Sequence, residues 1–174
     1  MMITYRYLIY QCEYSTELQA FKVVNSSIDK VWEFYTDIKH LEIITPREMK
    51  LKVTNATSQK LTQGSEIWLE GRIIMMLFKN KWHSIITSYS LSPQQYLYVD
   101  EMLTGLFKIW RHLHKFYDDD NNNNQKQTKV IDEIDFELPY GIIGKLFDGY
   151  AYRRLETFTY GMSLCASNVY LLTA

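Results

Sequence analysis

The sequence predicts an α+β fold, a curved antiparallel sheet of six to seven strands wrapped around a long C-terminal helix, with two short helices after the first strand. Three features predict it. Between residues 49 and 138, apolar and polar residues alternate in short runs separated by turn-forming links, which are too short for parallel crossovers. After residue 139 the period changes: Ile143, Phe147, Ala151, Leu155, Phe158, Met162, Cys165 and Val169 recur at steps of three and four, as on one helix face. Ahead of the strands, Val31, Phe34, Tyr35 and Ile38 make a shorter stripe of the same helical kind.

The elements follow in order. Residues 1–18 read as an N-terminal extension, in which Ile3, Tyr5, Tyr7 and Ile9 alternate as in an accessory strand, and residues 19–172 read as a single domain. Residues 21–25 suit a strand, and Ser26 or Ser27 offers a side-chain oxygen to the open amides of a helix starting near Ile28. A second helical piece over 38–44 should stop at Thr45, because Pro46 disfavours helical geometry in the residue before it. Strands are expected over 49–54, 66–77, 82–90, 96–103, 104–116 and 128–138, punctuated by Gly64, Lys79-Asn80, Ser92-Pro93 and Gly105. Residues 118–127 are a polar low-complexity run with nothing to bury, which suits an exposed hairpin loop. In the final helix Gly149 and Gly161 each cost about 0.5–1 kcal/mol relative to alanine, so it needs a sheet to lie against. A helix laid over a curved sheet leaves a hollow, and a hollow is a natural ligand pocket.

Composition excludes several functions. The 174 residues are 47% hydrophobic and 22% charged, which argues against disorder and gives enough apolar surface for a core with a cavity in it. A net charge of −1, with basic residues scattered among acidic ones, provides no footprint for nucleic acid or an anionic membrane. The first twenty residues contain Arg6, Glu13 and Glu17 and fit neither a secretory leader nor a membrane span. Cys12 and Cys165 lack CxxC spacing and read as reduced thiols of a cytoplasmic protein. Gly144-Lys145 is followed by leucine rather than serine or threonine, so it is not a phosphate-binding loop.

The chemistry concentrates in two strands. In the run 128–138, Val130, Asp132, Ile134, Phe136 and Leu138 share one face and charged residues the other, so the even positions face the interior. If the preceding strand pairs with it as a hairpin, Trp110, His112, His114 and Phe116 face inward too. Two histidines and an aspartate then sit among aromatic groups. Three arrangements remain open for them. They form a satisfied core network; they anchor the polar end of a ligand; or they bind a metal or act as acid and base, although the spacing supplies no third ligand. Trp68, Trp82, Tyr98 and Trp110 are candidate pocket walls or ordinary core. Asp100 shares a face with Tyr96, Tyr98 and Met102 and belongs either at the pocket mouth or in solvent.

These residues carry a resemblance. Val31-Trp32 with Phe34, the run Leu41 to Ile44-Thr45-Pro46, Gly64, Trp82 with Ser84 and Ile86, and Tyr98-Val99-Asp100-Glu101 resemble the START-like helix-grip superfamily. Gly105, the Trp110-x-His112-x-His114-x-Phe116 strand and the stretch from Asp132 to Pro139-Tyr140-Gly141 extend the likeness. Within that superfamily the chain is similar to the SRPBCC branch of polyketide cyclase/dehydrase and coenzyme Q-binding proteins. It departs from the pattern at Leu106 and Arg47, where proline is usual, and at Gly161, where a basic residue is usual. The resemblance implies binding of a small hydrophobic molecule, a lipid, quinone or polyketide-like compound, between the sheet and the final helix. Trp68, Trp82, Tyr98, Asp100, Trp110, His112, His114, Asp132, Phe136 and Phe147 would line that site. It also permits an alternative, a cyclase, dehydratase or isomerase using His112, His114 and Asp132 as acid and base, while a third possibility is a protein-interaction module whose cavity is vestigial. No cofactor, metal or protein partner is assigned.

Overall fold

A computed structural model describes residues 8–11, 16–45, 47–72, 79–119, 126–139 and 153. Among the described residues there are eight strands: β1 (Leu8–Gln11), β2 (Thr16–Val24), β3 (Lys52–Ala56), β4 (Glu66–Gly71), β5 (Asn80–Leu91), β6 (Gln95–Thr104), β7 (Ile109–Asp118) and β8 (Thr128–Glu137). They form one sheet in the order β1-β2-β8-β7-β6-β5-β4-β3, antiparallel at every ladder. From β3 to β8 each strand pairs with its neighbour in sequence, as short links require. The exception is β2, which pairs with β8. Two helices, α1 (Ile28–Thr36) and α2 (Ile38–Ile44), and a single 3-10 turn at Arg47–Met49 carry the chain from β2 to β3 at the far side of the sheet.

Both short helices fall where the apolar stripe and Pro46 put them. Their capping differs from expectation: Ser27 occupies the α1 N-cap without a side-chain bond, whereas the Asp37 carboxylate accepts the Lys39 amide at 3.0 Å and caps α2. The first strand is also longer than expected. It starts at Thr16 and pairs with β1, so strand pairing reaches into the segment read as an extension and the sheet has eight strands. Residues 105–108 form the turn before β7, fixed by a Lys108 amide bond to the Glu137 carbonyl at 2.8 Å, and ladder pairing begins at Ile109. The long helix expected after residue 142, with Phe147, Cys165 and both of its interior glycines, lies outside the described residues except for Arg153, which is helical and exposed, and Cys12 and most of the 118–127 loop lie outside them too.

The core sits on one face of the sheet. Val31, Trp32 and Tyr35 of α1 are buried there, and the Trp32 ring meets Tyr89, Tyr96, Tyr98 and Phe116 edge-on at 5.1–5.7 Å between centroids. Aromatic pairs of this geometry contribute about 0.5–1.5 kcal/mol each beyond the area they bury. A second cluster joins Leu18, Met49, Phe107, Trp110, Ile134 and Phe136. In β5 the register shifts between Ile86 and Ser88, which leaves Thr87 as the extra residue of a bulge. Before the bulge Ser84 and Ile86 face the core; after it Tyr89 does, and its hydroxyl accepts the Trp32 indole N–H at 3.2 Å.

Candidate functional site

The even positions of β7 and β8 face inward, as the hydrophobic pattern of β8 requires. Trp110, His112, His114 and Phe116, and Val130, Asp132, Ile134 and Phe136, are all buried. Register then decides which side chains meet. His114 stands directly between Tyr98 of β6 and Asp132 of β8, and one step along the sheet His112 stands between Asp100 and Ile134. Five polar groups on three adjacent strands are thereby brought together on the buried face.

Their geometry is tight. The His114 Nδ1–H donates to Asp132 Oδ1 at 2.6 Å, and the two imidazole centroids are 3.8 Å apart. His112 lies between two carboxylates, with Nε2 3.6 Å from Asp132 Oδ1 and Nδ1 3.7 Å from Asp100 Oδ2. Both distances exceed a hydrogen bond, and His112 Nε2 is buried with no partner of its own. The Tyr98 ring stacks on His114 at 4.3 Å.

Burial alone pushes the Asp132 carboxyl up, but the His112 and His114 imidazoles, with Lys22 near by, outweigh it and hold the group well below the usual carboxylate range. Asp132 is therefore an ionised acceptor. Burial, reinforced by the neighbouring His112, pushes His114 down against the pull of Asp132. A neutral His114 with its proton on Nδ1 keeps a lone pair on Nε2. Burial and the carboxylates of Asp100 and Asp132 push the Tyr98 phenol well up, so it remains a neutral hydroxyl.

These groups meet a cavity of about 80 Å³, on a measure by which a single water needs roughly 10–15 Å³. Leu41 of α2, Thr45 at its C-cap, Met49 of the 3-10 turn, Leu51, Leu61, Ile67 and Leu69 contribute to the lining, as do Trp82, Ser84, Ile86 and Met102. Tyr98, Asp100, Trp110, His112 and His114 complete the lining. Gly71 lets β4 approach: a Cβ there would lie 3.1 Å from the Trp82 ring and 3.2 Å from the Met49 carbonyl oxygen.

Six of the ten site residues read from the sequence therefore line the cavity: Trp82, Tyr98, Asp100, Trp110, His112 and His114. Asp132 is placed behind the histidines. Phe136 faces inward but is not part of the lining; it packs in the second cluster, against Phe107. Trp68 is on the opposite face, stacked on His83 at 4.2 Å, because Ile67 and Leu69 take the inward positions of β4. Phe147 lies outside the described residues. Sequence reasoning missed Lys22, 1% exposed, whose ammonium donates to the Tyr35 hydroxyl and sits 4.8 Å from its ring centroid. Its signal was the even-numbered series Leu18, Ala20, Lys22, Val24 of a strand read as starting too late.

No family model matches the sequence, and no curated protein does. Solved structures do match in shape. A protein of Thermus thermophilus, TTHA0849, aligns at TM-score 0.65 and 13% identity, over 91% of this chain and 99% of that one. A START superfamily protein from Mycobacterium smegmatis aligns at TM-score 0.59 and 11% identity, over 88% and 98%. The fold is START-like. An aromatase/cyclase, Zhui, from Streptomyces sp. R1128 shares this START-like fold at TM-score 0.58 and 16% identity, over 89% of this chain and 90% of that one. At these identities the likeness is one of fold. Among the described residues, no helix is long and apolar enough to cross a membrane.

Proposed function

We propose that this START-like protein binds a small hydrophobic molecule, of lipid, quinone or polyketide type, with its apolar body against Trp82, Trp110, Ile86 and Met102 and its polar end at His112 and His114. The observation that carries the reading is the asymmetry of the cavity. Most of its lining is apolar, while Tyr98, Asp100, His112 and His114 are contiguous on β6 and β7. Ligand sites combine apolar walls with a few convergent polar groups in this way. Asp132 takes the role of a positioning residue that fixes the His114 tautomer. The protein would work in the cytoplasm with a small molecule as its partner, and nothing in the charge distribution favours nucleic acid.

Native mass spectrometry of protein taken directly from its host tests this, with His112→Ala as the comparison. A co-purifying organic mass that His112→Ala loses while its unfolding midpoint stays near wild type supports the reading. Equal losses of ligand and of stability would remove the anchoring role, and an empty cavity in the host-derived protein would remove the ligand.

One observation favours a catalytic version of the same site. His114, neutral and held at 2.6 Å by Asp132, has the geometry of an oriented general base, its free Nε2 being the proton acceptor. A cyclase, dehydratase or isomerase reaction would use it so, as the fold shared with an aromatase/cyclase permits, and a polyketide, the compound class that the sequence resemblance implies, is the first substrate to try. Loss of turnover in His114→Asn would support catalysis; unchanged turnover would take His114 out of the mechanism.

A further inference from the structure

We infer that Asp100, His112 and His114 form a binding site for one divalent transition-metal ion on the polar side of the cavity, with Asp132 behind both imidazoles as their shared orienting carboxylate. The inference goes beyond the ligand reading and does not depend on it.

Its first support is the donor set. One oxygen of Asp100 and one ring nitrogen from each histidine lie within 4.8 Å of one another. The sequence supplied only the His-x-His pair; the β6–β7 register supplies the third donor by placing Asp100 opposite His112. Two imidazoles and a carboxylate suit zinc or another first-row divalent ion with coordination positions left open. A metal with donor distances of roughly 2.0–2.2 Å draws its ligands to about 3 Å from each other, so closure asks for side-chain rotations on the order of an ångström within a cavity that has the room.

The second support is the direction in which each proton points. Asp132 takes the Nδ1 proton of His114, which leaves Nε2 as the lone pair on the cavity side. The same Asp132 oxygen is the acceptor nearest His112 Nε2, an atom that is buried and otherwise without a partner. A proton on that nitrogen leaves Nδ1 as a lone pair facing Asp100 Oδ2 at 3.7 Å. Two acceptors facing each other beyond hydrogen-bond distance repel unless something positive lies between them. A cation satisfies both of them and His114 Nε2 together. Metal-bound histidines commonly give their other ring N–H to a carboxylate, and here a single carboxylate stands behind two of them.

An open coordination position would face the hollow lined by Trp82, Ser84 and Met102. If the ligand reading is right, the polar end of the hydrophobic molecule is then an oxygen donor, such as a carbonyl, enolate or phenolate. That clause alone rests on the proposed function, and the test below uses no organic ligand.

The full-length protein, stripped with a chelator and dialysed, is titrated with Co²⁺ followed by visible absorption, and then with competing Zn²⁺. The expected result is one equivalent bound, with ligand-field bands of a four- or five-coordinate nitrogen and oxygen site that Zn²⁺ bleaches. Asp100→Asn should abolish the bands while near-ultraviolet circular dichroism and Tm stay at wild-type values, since this side chain is one-fifth exposed and keeps its shape. Asp132→Asn should weaken binding about 10–100-fold without abolishing it. His83→Gln, at the His83–Glu66 pair on the other face, should change nothing. No stoichiometric uptake, or uptake that persists in folded Asp100→Asn, overturns the inference; uptake lost in His83→Gln moves the metal to the other face and overturns it as well.

Discussion

His114 and Asp132 face each other across the β7–β8 ladder at 2.6 Å, with side chains 5% and 4% exposed. A carboxylate this deeply buried is stable only while its donors remain. Removing the acceptor leaves the His114 N–H orphaned and the Lys22 ammonium with one opposing charge fewer. Asp132→Ala should therefore cost about 1.5–3 kcal/mol, the scale of a hydrogen bond to a charged group. Urea denaturation measures it, and a loss below about 0.5 kcal/mol would mean that water replaces the carboxylate freely.

Ser84, 2% exposed on β5, points at the cavity. Overpacking a filled core costs about 1–3 kcal/mol. Ser84→Phe should cost less than that, because the ring has a hollow to enter, and it should displace any bound molecule. Thermal denaturation and native mass spectrometry read the two effects together. A large loss of Tm would show that the space cannot take a ring.

Trp32 joins α1 to four rings on three strands. Truncation of such a residue creates a cavity costing about 3–5 kcal/mol. Trp32→Ala should lower the urea midpoint accordingly, and the conservative Trp32→Phe should recover part of it. Equal midpoints for the two variants would show that the aromatic contacts contribute little.

Asp37 caps the helix that carries Leu41 and Thr45 into the cavity wall. Slight burial pushes its carboxyl up, but the Lys39 amide, Gln59 and the nearby His40 and Lys39 charges hold it below the ordinary range. A carboxyl lowered on folding contributes stability above its unfolded value and loses that contribution as pH falls through its folded value. Asp37→Ala should cost about 1 kcal/mol at pH 7. The difference should hold steady down to about pH 5 and shrink below about pH 4, near the unfolded aspartate value. Unfolding curves of the two proteins across that range check the sign; a difference that grows towards acid would refute the capping account.

How much of this was legible beforehand depends on the kind of signal. Periodicity gave α2 its bounds through Pro46, and gave β8 its inward face through Val130, Asp132, Ile134 and Phe136. One strand face then oriented the next, which is how His112 and His114 were placed inside. Periodicity fails where both faces carry aromatic residues. Trp68 looked as much like a wall as Trp82, and only the burial of Ile67 and Leu69 separates them. It also fails across strands: that Asp100 stands opposite His112 depends on the β6–β7 register, which the turn residues 105–108 set and composition does not reveal. Lys22 was hidden by the rule that lysine faces water, which a buried tyrosine hydroxyl and a nearby carboxylate overturn here.

The bulge at Thr87 has a bearing on how this fold can diversify. It divides β5 into a proximal half that shapes the hollow through Trp82, Ser84 and Ile86 and a distal half that clamps α1 through Tyr89. Substitutions at Trp82 and Ser84 can therefore retune what the hollow admits without disturbing the clamp. Deleting Thr87 would remove the bulge yet leave Ile86, Ser88 and Tyr89 in regular in-out-in alternation opposite β6, so what the extra residue sets is the local bend between the two halves and not the face that Tyr89 takes.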